Sequence, residues 1–386
     1  PLISPFLPNA NMDSFNPAWG NLDGHSTGHG TQMAGLAIYG DLVEPLASTS
    51  AIQIFHQLES VKLINASAPH DPEIYGQVTI ECVSRAVVIS PTRKRVICMA
   101  VTSEDDRDRG KPSSWSSAVD KIIFGDSGVS DDKNVFLVSV GNVYHENHEE
   151  YPDKNKTEFI HDPSQAFNVI AVGGFTEKDS IDLTQFPAST ALAPRGGIAP
   201  SSSTSCLSEN KWPIKPDIVM EAGNYGVQNN SIIYPESLQL LTTAKNYNIG
   251  RFTGFRDTSA ATALASNLFA KVYQQYQDLW PESIRGIIIH SSSWTQQMIG
   301  GTALATLPPA SKRDLLRTFG YGVPNLNKAL YSLNNSLTLI AQRTIQPFIL
   351  EGGLVNTNQL HIFDLPWPAD VLESLGGQEA KLTITL

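Results

Sequence analysis

The chain contains 386 residues, of which 41% are hydrophobic, and it carries a formal net charge of -11 at pH 7. A chain of this length buries about three quarters of its unfolded surface, enough for one large domain and a smaller one. The negative charge argues against nucleic acid and anionic membranes as partners, and no apolar run reaches the roughly 18 residues that span a bilayer.

Helical and strand patterns alternate along residues 1–332, which predicts an α/β fold: a doubly wound parallel sheet with helices on both faces. The predicted strands lie near residues 60–64, 96–102, 134–140, 169–173 and 217–220, and the predicted helices near 29–39, 72–87, 113–124, 259–276 and 281–291. Short alternating runs follow at 337–340, 361–363 and 382–384. They predict the start of a β-rich accessory domain. We therefore expect two domains, residues 1–332 and 333–386.

The first candidate site residue is His29, in a Gly-His-Gly-Thr segment that opens the first predicted helix. The positive end of the helix dipole disfavours the imidazolium form, so this position helps to keep a neutral base near pH 7. Flanking glycines let a substrate come close. Because a single histidine is more often structural, the prediction gains weight only from the residues that accompany it.

Asn142 follows the strand predicted over residues 134–140, which is apolar on both faces. Ligands of open α/β sheets bind at the carboxyl ends of strands. The Asn142 amide could donate to an oxyanion, and losing such a donor costs about 2.7 to 4 kcal/mol of transition-state stabilisation. The alternative is an asparagine that merely forms a turn.

Ser259 lies in the first turn of a predicted helix of small residues, which suits a dense core. Free backbone amides at such a helix end can bind an oxyanion. Taken alone, Thr258 and Ser259 could simply be helix caps. The ordered occurrence of a base, an amide donor and a hydroxyl nucleophile favours a catalytic site.

These segments resemble the active-site motifs of the subtilisin-like serine proteases, or subtilases. Residues 28–35 match the family's Gly-His-Gly-Thr-x-x-Ala-Gly motif in full, and residues 257–263, Asp-Thr-Ser-Ala-Ala-Thr-Ala, resemble Gly-Thr-Ser-Met-Ala-Ala-Pro. Residues 215–219 and 320–325 resemble two further family segments, Lys-Pro-Asp-Val and Gly-x-Gly-x-x-Asn. The resemblance covers about residues 1–332 and implies a subtilisin-like fold. It is strongest to large intracellular bacterial members.

The resemblance implies a serine endopeptidase that hydrolyses peptide bonds through an acyl-enzyme. Ser259 would be the nucleophile and His29 the general base, and Asn142 would form the oxyanion hole. It implies no cofactor, and it suggests a cytoplasmic location and an ATPase partner. The residues that would bind an extended protein or peptide substrate by strand addition are Ala100, Val101 and Thr102.

One part of the family's catalytic triad has no counterpart, the Asp in an apolar-Asp-Thr-Gly segment ahead of the His motif. Asp13 and Asp23 lie in stretches rich in Asn, Gly and Pro, with no predicted strand before them. We therefore expect the sequence to be an excerpt of a longer protein. Loss of the triad Asp from subtilisin costs on the order of 10⁴-fold in turnover, so a polypeptide with these residues alone would be nearly inert.

Two departures from the family motif keep another function open. Asp257 stands where the family has Gly, and Ala263 where it has Pro. An acid beside the nucleophile is expected to raise the pKa of His29 or to lower the affinity for acidic substrates. The alternative function is a catalytically degenerate module that binds extended peptides or regulates through them.

Two remaining patterns bear on metals and on location. His145 and His148 have a spacing that a metal could use in a helix, but a solvated loop is commoner and we predict no metal site. The chain has three widely spaced cysteines, an odd number: Cys82, Cys98 and Cys206. A buried, reduced Cys98 favours the cytoplasm.

Overall fold

The computed structural model of the chain describes residues 2–103, 105, 108–126, 133–335, 338–364, 368–378 and 382–386. Across these residues no helix combines the length and the apolar character that crossing a bilayer requires. The α-helices are α1 His29–Tyr39, α2 Val43–Ala47, α3 Tyr75–Ile89, α4 Ser114–Phe124, α5 Asp153–Thr157, α6 Asp257–Gln275, α7 Pro281–Ser291, α8 Pro309–Phe319, α9 Leu326–Asn335 and α10 Ala369–Ser374.

The strands belong to one larger sheet and several short pairs. They are β1 Met12–Ser14, β2 Ser60–Lys62, β3 Val96–Met99, β4 Val135–Ser139, β5 Ile170–Thr176, β6 Thr190–Ala191, β7 Gly197–Ile198, β8 Ile218–Glu221, β9 Gly226–Gln228, β10 Ser231–Ile233, β11 Leu240–Thr243, β12 Phe252–Phe255, β13 Phe348–Glu351 and β14 Leu354–Thr357.

A parallel sheet forms the middle layer, in which β3 pairs with β4, β4 with β5, and β5 with β8. Successive side chains of a strand point to opposite faces. In β4, Val135 and Leu137 pack against α6, α7 and α9, whereas Phe136 and Val138 pack against α3 and α4. The predicted α/β fold, with helices on both faces of a parallel sheet, is confirmed.

Helix α6 is the central helix of the fold, because its small side chains let it approach the sheet closely. Ala260, Ala261 and Ala263 are fully buried. The helix contacts β3, β4, β5 and β8, and it also packs against α1. Its first turn meets Asn142, three residues past the end of β4, so the sheet holds this helix end at its carboxyl edge.

A buried ion pair fastens the start of β8 to the rest of the sheet. Lys215 is 1% exposed, and its Nζ donates to Asp217 Oδ2 at 2.7 Å and to the Val169 carbonyl at 2.9 Å. Arg285 of α7 donates to the other Asp217 oxygen at 3.0 Å. Burial lowers the pKa of Lys215, and the Asp217 carboxylate opposes that shift.

Strand β3 is shorter than predicted. It ends at Met99, where its pairing with Val138 of β4 also ends. Beyond this point the backbone amide of Ser103 donates to the Asp162 carbonyl at 2.8 Å, which draws the chain away from β4. The predicted strand over residues 96–102 is therefore wrong in its last three residues.

A gap separates β2 from β3, so the strand predicted near residues 60–64 does not join the larger sheet. β2 instead pairs with β1, an unpredicted strand, in a separate parallel pair. A cavity of about 540 Å³ lies in the gap, and it is lined by residues of β2, β3, α3 and α6 such as Val61, Cys98 and Ser266. Among the described strands, β3 has no partner on the edge that faces this cavity.

Strands follow residue 332, as predicted, but they lie at other positions. Residues 338–340, 361–363 and 382–384 form no strand, and residue 337 lies outside the described residues. An exposed hairpin of β13 and β14 forms instead. The apolar side chains of the predicted runs are also exposed, Ile362 by 82% and Ile384 by 74%. The domain boundary at 332 stays a prediction.

Asp217→Asn is expected to destabilise the fold by about 3 to 5 kcal/mol, because Lys215 would then be a buried charge without its carboxylate. Urea unfolding followed by circular dichroism measures the change. The matched control is Glu282→Gln, which breaks a pair with Lys133 whose side chains are 54% and 44% exposed. The control should cost less than about 1 kcal/mol. Equal losses in the two variants would contradict the importance of the buried pair.

Candidate active site

His29 is the first residue of α1, and Gly28 is its N-cap with a φ of 80°. A Cβ on Gly28 would lie 2.4 Å from the Cβ of Lys245, so the position requires glycine. The imidazole meets the ring of Phe255 edge-on, with 5.4 Å between ring centroids. Burial lowers the pKa of His29, and nearby His25 lowers it further. His29 is therefore a neutral base at pH 7.

Asp23 is a residue of this site that the sequence analysis missed. Its Oδ2 accepts bonds from the Thr31 backbone amide at 2.7 Å and the Thr31 hydroxyl at 2.8 Å, which caps α1. Burial acts to raise its pKa, but these bonds and one from the His25 amide give a net lowering. The ionised carboxylate in turn acts to raise the pKa of His29. An Asp shortly before a Gly-His helix start was the available signal.

Asn142 lies three residues after the end of β4 and is fixed by the residue before the candidate nucleophile. Its Oδ1 accepts from the Thr258 hydroxyl at 2.6 Å and from the Thr258 backbone amide at 3.1 Å. Because the oxygen serves as acceptor, the Nδ2 group remains the donor of this side chain. The backbone of Asn142 also forms an antiparallel bridge with Ser202.

Ser259 is the third residue of α6 and is 8% exposed. It follows Thr258, so the bonds from Thr258 to Asn142 hold the serine beside the amide donor. α1 packs against α6 and brings His29 to the same helix end. Within the described residues no hydrogen bond joins His29 to Ser259, and their catalytic pairing stays a prediction.

Asp257 does not act on His29 as expected. Its carboxylate accepts a bond from the Tyr225 hydroxyl at 2.9 Å and lies 3.7 Å from Nε of Arg256. Burial raises the pKa of Asp257, and Arg256 opposes the shift. The expectation that this acid raises the pKa of His29 is wrong, because the pKa of His29 is lowered and the opposing carboxylate is that of Asp23.

The predicted substrate-binding residues lie on one segment beyond β3 and are half-buried. The segment is anchored at its end by the bond from Ser103 to Asp162. The Asp162 side chain accepts from the Ser113 hydroxyl at 2.6 Å, and burial raises its pKa to about 6. The segment is thus fixed at its carboxyl end. It consists of Ala100, Val101 and Thr102.

The histidines of the acidic loop point at different backbone carbonyls. His145 Nε2 lies 2.7 Å from the Pro200 carbonyl, and His148 Nδ1 lies 3.3 Å from the Asn230 carbonyl. Throughout the described residues no group of three His, Cys, Asp or Glu side chains is placed to hold a metal. The three cysteines form no disulfide. Cys98 lines the cavity beside β3, and burial raises the pKa of its thiol to about 12.

Comparison with protein families gives one match that spans most of the chain. The model of the subtilase family, Peptidase_S8, matches residues 1–322. The matched range contains every residue of the candidate site.

Two solved structures with a similar fold are a lanthipeptide protease and the epidermin leader peptide processing serine protease of Staphylococcus aureus. The first is 16% identical with a TM-score of 0.50, over 86% of this chain and 83% of that chain. The second is 16% identical with a TM-score of 0.51, over 86% of this chain and 72% of that chain. At such identity the likeness shows the fold alone. No curated protein matches the chain by sequence.

Phe255→Leu is expected to raise the pKa of His29 towards its ordinary value, because the smaller side chain admits water to the imidazole. A neutral base is required, so the lower limb of the pH-activity profile should move to higher pH in this variant. An NMR titration of the His29 ring measures the pKa directly. The control is Phe252→Leu, which alters the exposed end of the same strand. An unchanged His29 pKa in Phe255→Leu would refute burial as the cause.

Proposed function

We propose that this chain, which belongs to the subtilase family, is the catalytic part of a serine endopeptidase that acts through an acyl-enzyme on Ser259. The observation that carries the proposal is the pair of hydrogen bonds from Thr258 to Asn142 Oδ1. These bonds hold a carboxamide donor and the free amides of a helix N-terminus next to one serine. Preorganised donors of this kind usually supply the largest share of transition-state stabilisation.

The chemistry follows from these positions. His29, neutral at pH 7, takes the proton of the Ser259 hydroxyl as its Oγ attacks the peptide carbonyl. The negative charge that develops on the carbonyl oxygen is stabilised by Asn142 Nδ2 and by the Ser259 amide, which lacks an acceptor within the first turn of α6. The imidazolium then gives its proton to the leaving amine, and water hydrolyses the ester.

The substrate would be an extended segment of a protein or peptide. Residues 100–102 support this, because they follow β3 beyond its pairing with β4 and can offer backbone groups to another strand. The free cysteines support a cytoplasmic location. An ATPase partner stays a prediction from the family resemblance.

The acid of the triad is expected on a strand that fills the cavity between β2 and β3. The cavity has β2 on one side and the edge of β3 on the other, with α3 and α6 contributing to its walls. A strand parallel to β3 in this place would end at the carboxyl edge of the sheet, where Asn142 and the start of α6 lie. Asp23 is poorly suited to the role, since its oxygens already accept bonds from Thr31 and His25.

A peptide-binding module without catalysis is the second candidate function. It is favoured by one observation: within the described residues, no hydrogen bond joins a carboxylate to the His29 imidazole. An imidazole without such a partner is neither held in one tautomer nor stabilised as the imidazolium.

A fluorophosphonate probe is expected to label the chain at Ser259. Ser259→Ala should abolish labelling, whereas Ser266→Ala, a buried hydroxyl on the same helix, should label as the parent chain does. Asn142→Leu should slow labelling by about 10²- to 10³-fold, because one oxyanion donor is lost. Labelling that survives Ser259→Ala would favour the peptide-binding module, and so would labelling that is missing from a longer protein that includes the strand with the triad acid.

The place of the acid is tested by the same probe on a longer protein that includes the expected strand ahead of residue 1. Its labelling should be faster than that of residues 1–386 by a factor on the order of 10⁴, the cost of removing the triad Asp from subtilisin. Changing the acid of the added strand to Asn should return the slow rate. Equal rates for the two lengths would reject the cavity as the place of the acid.

A further inference from the structure

We propose that Asp257 is a positioning residue that ties the turn ahead of Ser259 to the segment beside the oxyanion donor, where the family motif has glycine. The inference rests on the proposed function of Ser259. It concerns a residue that touches neither the substrate nor His29 and that acts through the position of its neighbours.

The backbone of Asp257 has a conformation that glycine would adopt more easily. Its φ is 74°, in the left-handed region, although it carries a side chain. Such a conformation persists only where the surrounding structure holds it. One constraint is the bond from the Asp257 amide to the Ala222 carbonyl at 2.8 Å, directly after β8. The turn that leads into the nucleophile is therefore fixed to the sheet.

The carboxylate of Asp257 supplies further constraints that glycine could not provide. Its side chain is 20% exposed, and its Oδ1 accepts from the hydroxyl of Tyr225 at 2.9 Å. Tyr225 is itself 4% exposed, so its hydroxyl has a well-defined place. The Ser201 side chain is a second hydrogen-bond partner of the carboxylate. The acid thus connects the start of α6 to two separate segments.

One of these segments also holds the oxyanion donor. The Ser201 carbonyl accepts from the Val143 amide at 2.8 Å, and Ser202 forms the bridge with Asn142. Through Ser201, Asp257 therefore connects the turn that contains Ser259 to residues 201 and 202, which contact Val143 and Asn142. Together with the bonds from Thr258 to Asn142, this link sets how far Ser259 lies from the amide donor.

An adjacent cation offsets part of the cost of placing an acid in this turn. Arg256 lies over the ring of Tyr234 at 4.0 Å and over that of Tyr225 at 5.6 Å, and the two rings meet edge-on at 5.0 Å. This arrangement keeps the guanidinium beside the Asp257 carboxylate. Burial still raises the pKa of Asp257, and Arg256 reduces that shift.

The test compares rates of fluorophosphonate labelling in the full chain, where kinact reports the position of the serine and KI reports binding of the probe. Asp257→Gly removes the carboxylate and relieves the backbone, and Tyr225→Phe removes the donor. Both should lower kinact about 10- to 100-fold, the effect of a misplacement near 1 Å, with KI changed less than about twofold. Asp257→Asn keeps an acceptor and tolerates positive φ, so it should retain most of kinact.

Two controls separate positioning from general stability. In Asp257→Gly the relief of positive φ opposes the loss of the acceptor for the buried Tyr225 hydroxyl, so kinact is compared at a temperature where circular dichroism shows both proteins fully folded. Asn230→Gly, at a φ of 64° in the exposed turn between β9 and β10, should leave kinact unchanged. A merely structural role of Asp257 predicts a lower melting temperature in Asp257→Gly together with an unchanged kinact for the folded fraction.

The outcomes separate this inference from the proposed function. If labelling depends on Ser259 but Asp257→Gly keeps the parent kinact, the positioning role is overturned and the peptidase proposal stands. If the longer protein with the triad acid also shows no labelling that depends on Ser259, both are overturned. A slow Asp257→Gly that is rescued by Asp257→Asn supports the role stated here.

Discussion

The two hydrogen bonds from Thr258 to the side-chain oxygen of Asn142 are the interaction on which the site depends. They join the end of a buried strand to the start of the central helix, so two elements far apart in sequence share one fixed point. The oxygen of the amide is used for structure, which leaves its nitrogen as the donor of the proposed oxyanion hole. The same bonds place the first amides of α6 beside that nitrogen. The Asn142 side chain thus uses its oxygen to hold the fold and its nitrogen for the proposed chemistry.

The fixed point is supported by the helix behind it. The buried alanines of α6 pack closely against the sheet, and β4 is buried along its whole length. Close packing of this kind transmits displacements instead of absorbing them. Asp257 is the first residue of α6, so a shift at this position would carry Ser259 with it. The bonds of Asp257 lie where relative motion is most damaging.

Local pattern and burial agree in β4 and α6, and these elements could be predicted from sequence. Asp23 could not be placed in the site, because its contact with Thr31 depends on the path of an irregular loop that has no periodicity. β3 ends where its pairing with β4 ends, and the β3 sequence alone does not determine the last paired residue. Motifs predict roles from residue type. Asp23 and Asp257, each near a helix end, show that residue type alone does not determine how an acid acts on the site. Their effects depend on what their oxygens already bind.

The base strength of His29 is therefore set by desolvation more than by the charge of the chain. The net charge of -11 would suggest a raised histidine pKa, but exposed charges are screened within about 8 Å at physiological salt. Asp257 bonds to Tyr225 and lies beside Arg256, and Asp23, which acts to raise the pKa of His29, uses its oxygens to cap α1. Burial against Phe255 then dominates. A carboxylate entering from the cavity beside β3 could bond to the imidazole directly, and it would convert a neutral base that is held loosely into one with a defined tautomer and a stabilised charged form.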